Sequence, residues 1–144
     1  MEKLNVQATE IFCSIIEKLN GARSTKLKSK GLMDLCVQRL GIRVETPWGE
    51  GSIYSLAHYY EQEGDAMRDP DMEFIVVDNR RNKTDYLMIG IYPQMYRQDG
   101  LGRYEESVVI EDDKVVSFYE GLQRAHTVFA NSWVQSFKRD GFLK

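Results

Sequence analysis

Apolar residues recur at helical spacing near the end of the chain. Successive members of the set are four, three, four, four and four residues apart: Phe118, Leu122, Ala125, Phe129, Trp133 and Phe137. This wide apolar stripe predicts a long amphipathic helix. Ser117 and Glu120 fit a capping box at its start, and Asp112 or Asp113 is the alternative cap for a slightly longer helix.

Two shorter helices are predicted near the beginning of the chain. Residues 5–19 have apolar side chains at three- and four-residue spacing, and Asn20-Gly21 ends the pattern. Residues 32–40 repeat that spacing with Leu32, Leu35, Cys36 and Leu40 on the inward side. The polar, basic segment 22–31 between them is predicted to be a mobile loop.

The central part of the chain is predicted to form two strands around an acidic turn. Ser52 to Tyr60 is rich in Ile and Tyr, which favours a strand, whereas a short helix capped by Ser52 or Ser55 is the alternative. Glu63-Gly64-Asp65 predicts a turn, because Gly64 tolerates a positive φ. Asp69-Pro70-Asp71 predicts a second break before a strand over residues 72–77.

Two further strands are expected, over residues 85–92 and 104–110, with Pro93 stopping the first or placing it at an edge. The fold class is therefore α+β: a two-layer domain with an antiparallel sheet of about four strands, two N-terminal helices and one long C-terminal helix. Residues 1–144 are interpreted as a single domain. Helix 5–19 and the basic loop are placed at the periphery of a body spanning residues 32–143.

Composition narrows the class of protein. The apolar content of 42% and aromatic content of 11% argue against a disordered chain, and the net charge of −3 gives no general attraction to nucleic acid. Cys13 and Cys36 lie in apolar settings without metal-ligand spacing, which predicts reduced thiols in a cytoplasmic protein. No apolar run approaches the roughly 18 residues that a membrane span needs.

An acidic cluster around one histidine is the strongest candidate for catalysis. It comprises His58, Glu61, Asp65, Asp69, Asp71 and Glu73, with Asp71 and Glu73 on the same side of a strand. Such side chains could bind a divalent cation whose bound water attacks a phosphodiester or an amide. No established metal-binding spacing accompanies them, so a solvated acidic turn is favoured, and no metal or cofactor is predicted. His126 is interpreted as a helix-surface histidine.

Two candidate binding surfaces remain. The first, for a protein or peptide partner, consists of His58, Tyr60, Glu61, Asp65 and Asp69. The second is a candidate anion-binding loop with Arg23, Lys26, Lys28 and Lys30, inside a segment from residue 21 to 43 whose six cations and one anion give a net charge of +5. No nucleic-acid-binding motif accompanies this loop.

The central run SLAHYYEQEGDAMRDPDMEF and the later segments Phe129–Trp133 and Arg139–Phe142 resemble an uncharacterised bacterial domain family. That family is found largely on conjugative plasmids and transposons of gut anaerobes. A weaker likeness links the strand order and the Phe-xxx-Trp helix to a small proteobacterial family of unknown function. The resemblance covers residues 32–143. It implies a cytoplasmic accessory role in mobile elements and assigns no catalytic residue.

The leading hypothesis from the sequence is thus a non-catalytic accessory domain that recognises a protein or peptide. A metal-assisted hydrolase or nuclease using His58 and the acidic turn is the alternative. A nucleic-acid adaptor acting through the basic loop is the third hypothesis.

Overall fold

The computed structural model describes residues 1–144 and contains two α-helices and eight β-strands. In chain order these elements are α1 (Val6–Glu17), β1 (Ser24–Leu27), β2 (Leu35–Thr46), β3 (Gly49–Gln62), β4 (Asp65–Asp78), β5 (Ile89–Gln98), β6 (Arg103–Glu106), β7 (Val108–Glu111), β8 (Lys114–Phe118) and α2 (Glu120–Arg139). Short 3₁₀ turns at Tyr86–Met88 and Asp99–Leu101 flank β5. Neither helix is both long enough and apolar enough to span a membrane.

All eight strands belong to one sheet, in the order β6-β5-β4-β3-β2-β8-β7, with β1 also paired to β2. The pairs are antiparallel except β2 with β8, which run parallel where Glu45 lies opposite Lys114. The predicted α+β class with a mainly antiparallel sheet agrees with this structure. The expectation of about four strands and two N-terminal helices was wrong, because the sheet has eight strands and one helix precedes it.

Both helices pack on the same face of the sheet. Ala8, Phe12 and Ile15 of α1 are fully buried there, as are Ala130 and Val134 of α2. Against them lie side chains from five strands, among them Val37, Leu56, Met72, Phe74 and Ile91. Helix α1 is therefore part of the main hydrophobic core.

A second, smaller core lies on the opposite face of the sheet. It combines residues from β2, β3, β4, β5 and β7: Val44, Ile53, Ile75, Val77, Tyr92 and Val108. The Ser107 amide donates to the Gln94 carbonyl at 2.9 Å, and the Ser107 carbonyl accepts from the Tyr119 amide at 2.9 Å. Ser107 lies between β6 and β7, which are the two edge strands of the sheet order. These hydrogen bonds therefore bring the two edges of the sheet together, and the sheet curves around the second core.

The predicted helix over residues 32–40 was wrong, because this segment enters β2. Leu35 and Val37 are fully buried on the helix face, while Cys36 between them is half-buried on the other face. A strand covered on both sides has apolar residues at neighbouring positions, and these coincided with helical spacing. Gly41 lies in a β-bulge with φ of 73° and does not end a helix.

The predicted mobile loop over residues 22–31 contains β1. Thr25 and Leu27 pair with Val37 and Leu35 of β2, and Leu27 packs against the main core. The alternation of inward Thr25 and Leu27 with outward Ser24 and Lys26 spans only four residues, which is too short to stand out among the surrounding cations.

The strand prediction for Ser52–Tyr60 is confirmed, and β3 extends it to Gly49–Gln62. The predicted turn is also confirmed, with φ of 53° at Glu63 and 86° at Gly64. The predicted break at Asp69-Pro70 was wrong, because β4 continues through it. Ala57 pairs with Asp71 and Tyr59 with Arg68, so two residues of β4 oppose one of β3 in a bulge. The extended geometry that proline imposes on the residue before it suits a strand.

The later strands are also longer or more divided than predicted. Residues 86–88 form a 3₁₀ turn, and β5 runs past Pro93, which lies beside a bulge opposite Phe74. The predicted strand 104–110 is split at Ser107 into β6 and β7.

The C-terminal helix is confirmed as α2, but its buried face is rotated from the predicted stripe. Gln123, His126 and Val134 are buried, whereas Phe129 is 40% exposed. The predicted capping box was wrong, because Tyr119 is the N-cap residue and makes no side-chain capping bond.

Candidate functional site

The five residues predicted to form a binding surface do not converge on one point. His58 lies on the helix face of the sheet, where its Nδ1 is 3.0 Å from the Asp34 carbonyl oxygen. Its ring contacts Trp133, Phe137 and Phe142, with centroid distances of 5.7–5.8 Å. The ring of His58 therefore acts as a packing element beneath α2.

Two of the five, Tyr60 and Glu61, line one pocket of about 570 Å³. Its walls come from β1, the start of β2 and the ends of β3 and β4 around their turn, and include Thr25, Lys26 and Tyr59. Burial raises the pKa of the Tyr59 hydroxyl, so that hydroxyl stays protonated and able to donate a hydrogen bond at neutral pH. The pocket combines aromatic walls with hydroxyl, amide and charged groups.

The remaining two, Asp65 and Asp69, lie outside that pocket. Asp69 accepts a hydrogen bond of 2.9 Å from Gln98 Nε2, which ties β4 to the end of β5. Asp65 is exposed at the β3–β4 turn together with Glu61 and Glu63, and none of the three takes part in an ion pair. We call Glu61, Glu63 and Asp65 the acidic tip; it gathers three carboxylates without ion-pair partners at the β3–β4 turn, and Glu61 among them lines the pocket.

The pocket lies beside an open strand edge. Strand β1 pairs with β2 on one side and with no strand on the other. Because the Arg39 amide donates to the Arg23 carbonyl, the alternate residues Ser24 and Lys26 turn their backbone N–H and C=O groups away from β2. An unpaired edge of this kind is able to accept an additional strand.

The residues of the candidate anion-binding loop separate into different environments. Lys28 forms an ion pair of 3.1 Å with Asp34, and Lys26 lines the pocket. Arg23 lines a different cleft, together with Arg39 and Arg43 of β2. Lys30 is exposed in the connection between β1 and β2.

Residues 10–143 match the sequence profile of a family described as a domain of unknown function (DUF6908). The chain belongs to the DUF6908 family. The match extends beyond residues 32–143, where the sequence resemblance was noted, and includes most of α1 and all of β1. No curated protein and no solved structure matches the chain at a significant level.

Two carboxylates of this DUF6908 domain, Asp71 and Glu73 of β4, face away from the helices and have shifted pKa values. Asp71 is 8% exposed and accepts a hydrogen bond of 2.9 Å from Ser55 Oγ. Burial raises the pKa of Asp71, and burial together with the charge of Asp71 raises the pKa of Glu73. Glu73 accepts a hydrogen bond of 2.8 Å from Gln94 Nε2.

An ion-pair network of the DUF6908 domain borders these carboxylates. The backbone amide and Nη1 of Arg68 donate to Asp99 Oδ2 at 2.9 and 3.2 Å, and Arg97 Nε lies 3.5 Å from Asp99 Oδ1. The backbone hydrogen bond from Arg68 is the main cause of the lowered pKa of Asp99. Arg68 Nε also lies 3.7 Å from Asp71 Oδ2, so the network connects the 3₁₀ turn after β5 to β4.

His126 was predicted to lie on the surface of the C-terminal helix, and this prediction was wrong because the residue is buried. It is 2% exposed, with Nδ1 2.8 Å from Ser107 Oγ and Nε2 3.0 Å from Glu105 Oε1. The hydrogen bond with His126 is the largest cause of the lowered pKa of Glu105. His126 therefore joins α2 to the chain where β6 passes into β7. The available signal in the sequence was its four-residue spacing to Ala130, which is itself four residues before Val134.

The side chains of the DUF6908 domain form no group of three or more His, Cys, Asp or Glu residues arranged to hold a metal ion. Burial raises the pKa of both Cys13 and Cys36, which keeps these thiols protonated and weakly nucleophilic at neutral pH. The pocket, together with the adjoining strand edge and acidic tip, is therefore the candidate binding site.

Proposed function

We propose that this DUF6908 domain binds an extended, basic peptide segment of a partner protein. The segment lies along the open edge of β1 and inserts a Lys or Arg side chain into the pocket beside Tyr59, Tyr60 and Glu61. The observation that carries this proposal is the juxtaposition of a pocket of about 570 Å³ with an unpaired strand edge. Backbone pairing supplies affinity in this recognition mode, and a side-chain pocket supplies selectivity.

The charge of the surroundings supports a basic ligand. Glu61 of the acidic tip lies in the pocket wall, and Glu63 and Asp65 follow it at the adjoining β3–β4 turn, all three without ion-pair partners. Lys26 is the only cation in the wall, and it lies on β1 itself. A cationic side chain entering beside Glu61 meets a carboxylate, while its alkyl portion packs on the aromatic ring of Tyr59.

Two other functions have weaker support. A metal-assisted hydrolase would need His58 and the acidic residues together, but His58 packs beneath α2 while Asp65 and Glu61 lie at the β3–β4 turn. A nucleic-acid adaptor would need the cations of the basic segment on one surface, but Lys28 is paired with Asp34 and Lys26 lies in the pocket. The accessory role in the cytoplasm of bacteria carrying mobile elements is supported by the sequence resemblance alone.

The proposal is tested by selecting binders from a random-peptide phage library on the immobilised protein and measuring the affinity of synthetic peptides by calorimetry. We expect Lys- or Arg-containing peptides whose affinity falls about tenfold or more in a Glu61→Lys variant. Methylating alternate backbone amides of the peptide should also weaken binding, because it removes strand pairing. Glu111→Lys, the same change at an exposed site on β7, is the matched control.

The outcomes separate the proposal from its rivals. Selected peptides that bind Glu61→Lys and wild type equally well would place the site elsewhere. Tolerance of backbone methylation would exclude addition of a strand to β1. If no peptide is enriched above an unrelated control protein, the peptide-binding proposal is wrong.

A further inference from the structure

The bulge in β2 brings two arginines close together on one face of the sheet. Arg39 lies opposite Tyr54 of β3, and Arg43 lies opposite Ser52, so three residues of β2 between the arginines face a single residue of β3. Partners two residues apart on a strand are separated by about 7 Å. Arg39 and Arg43, four apart in sequence, therefore project from neighbouring positions on the same side. Gly41 permits the excursion with a φ of 73°.

A third arginine joins them from the preceding strand. The Arg39 amide donates to the Arg23 carbonyl at 2.8 Å, immediately before the pairing of Ser24 with Gln38. Residues directly opposite each other in an antiparallel pair have their side chains on the same face. Arg23, Arg39 and Arg43 consequently line one cleft of about 310 Å³, whose other walls are Gly41, Ile42 and Ser52.

The cleft contains no acidic side chain among its lining residues. Arg23 and Arg39 take part in no ion pair, and Arg43 is 3.6 Å from Glu50 in a pair whose side chains are 80% and 62% exposed. An exposed pair of that kind is strongly screened by water. Three guanidinium groups therefore lie on one concave surface with little compensating negative charge. Their mutual repulsion raises the free energy of the empty cleft, and an anion that enters the cleft relieves it.

We propose that this arginine cleft binds the phosphate group of a small phosphomonoester. Guanidinium groups donate paired hydrogen bonds that match phosphate oxygens, and the Ser52 hydroxyl lies in the same wall as a further donor. The site is separate from the peptide pocket, because the two share no lining residue.

The geometry favours a single dianionic group over a nucleic-acid backbone. The three arginines converge on one cleft, whereas binding along a polymer requires cations spread over several phosphate spacings. Lys28 lies at the other end of β1 from Arg23, and the whole chain carries a net charge of −3. A terminal phosphate with a charge near −2 matches the local excess of positive charge.

The test compares four probes on the intact protein: inorganic phosphate, 5′-AMP, adenosine, and a 12-mer single-stranded DNA without terminal phosphates. Calorimetry gives affinities, and ¹H–¹⁵N spectra of the arginine Nε–Hε groups report which side chains respond. The variants are Arg23→Gln and Arg39→Gln, with Arg139→Gln as the control that removes one exposed arginine on α2. Circular dichroism checks that each variant remains folded.

We expect saturable binding of phosphate and 5′-AMP, none of adenosine, and a loss of about tenfold or more in Arg39→Gln and Arg23→Gln. Arg139→Gln should bind like wild type. The proposal would be overturned if adenosine bound as tightly as 5′-AMP, or if all three variants had equal affinity for 5′-AMP. It would also be overturned if phosphate and 5′-AMP did not reach saturation at millimolar concentration. DNA binding tighter than 5′-AMP with a steep salt dependence would replace it with a nucleic-acid surface.

Discussion

At the residue scale, Asp71 of β4 is a carboxylate that burial largely removes from water. Asp71 is held by Ser55 and lies near Arg68, but burial outweighs both and raises its pKa. A native-state pKa above the unfolded value means that the folded protein binds the proton more strongly. The contribution of Asp71 to stability is therefore fully present at low pH and is lost as pH rises through the native pKa.

Replacing Asp71 with Asn removes this titration while retaining an oxygen that accepts from Ser55. Relative to wild type, the free energy of unfolding of Asp71→Asn should increase as pH rises from about 4 to 8, since only wild type then buries a charge. Urea denaturation at several pH values measures the difference. Asp65→Asn, on the exposed acidic tip, is the control. If the difference in unfolding free energy between Asp71→Asn and wild type stays constant or shrinks as pH rises, the charge of Asp71 is fully compensated in the folded protein.

The two phenylalanines of α2 should differ sharply in their contribution to stability. Phe137 is 1% exposed, and its replacement by Ala should cost roughly 3–5 kcal/mol of unfolding free energy. Phe129 is 40% exposed, so Phe129→Ala should cost less than half as much. Chemical denaturation of both variants checks the ranking. Equal losses would mean that Phe129 is buried in solution.

At the element scale, the pairing of β1 with β2 determines where trypsin should cut first. A mobile loop would be cut by trypsin anywhere from Arg23 to Lys30. Because Ser24–Leu27 is hydrogen-bonded to β2, we expect the first cuts after Lys28 or Lys30, in the connection between the strands, with Lys26 protected. Mass spectrometry of early fragments identifies the sites. Early cleavage after Lys26 would show that β1 is detached from the sheet.

Elements with a long, one-sided pattern were predictable from the sequence. The stripe of α2 and the apolar spacing of α1 each extend over several turns, and Gly64 marks the β3–β4 turn. The start of β2 was mistaken for a helix because Leu35, Cys36 and Val37 are all at least half-buried on opposite faces. Strands β1, β7 and β8 have four or five residues each, too few for a period of two to emerge.

The candidate site was predictable only where neighbouring residues share a wall. Tyr60 and Glu61 were identified and line the pocket, whereas Lys26 and Tyr59 complete it through pairings between different strands. The arginine cleft depends on the bulge in β2, which places Arg43 next to Arg39. Strand register and bulges arise from tertiary packing, so a linear pattern carries no direct record of them.

At the scale of the whole molecule, the main core joins the two ends of the chain. The Glu2 amide donates to Gln123 Oε1 at 2.8 Å, and the Asn5 amide donates to Asn131 Oδ1 at 2.9 Å. Leu4, Phe12 and Leu19 lie in the same core as residues of α2. The helix layer is consequently one unit formed by sequence-distant segments.

A chain beginning at Asn20 should therefore fail to unfold cooperatively. It lacks Phe12 and Ile15, and it leaves apolar surface of α2 and the sheet exposed to water. Thermal unfolding followed by circular dichroism tests this expectation. The full chain carrying Val6→Ala, on the exposed side of α1, should keep a sharp transition. A sharp transition in the shortened chain would place α1 outside the cooperative unit.

The hydrogen bonds between Glu2 and Gln123 and between Asn5 and Asn131 also determine when folding can finish during synthesis. These partners are 121 and 126 residues apart, so α1 leaves the ribosome long before the neighbouring helix α2 exists. Until α2 is translated, the part of the sheet's helix face that α2 covers stays accessible to chaperones and to other nascent chains. Contacts of such long sequence separation slow folding. Completion of α2, rather than formation of any single strand pair, is the step that ends this period of exposure.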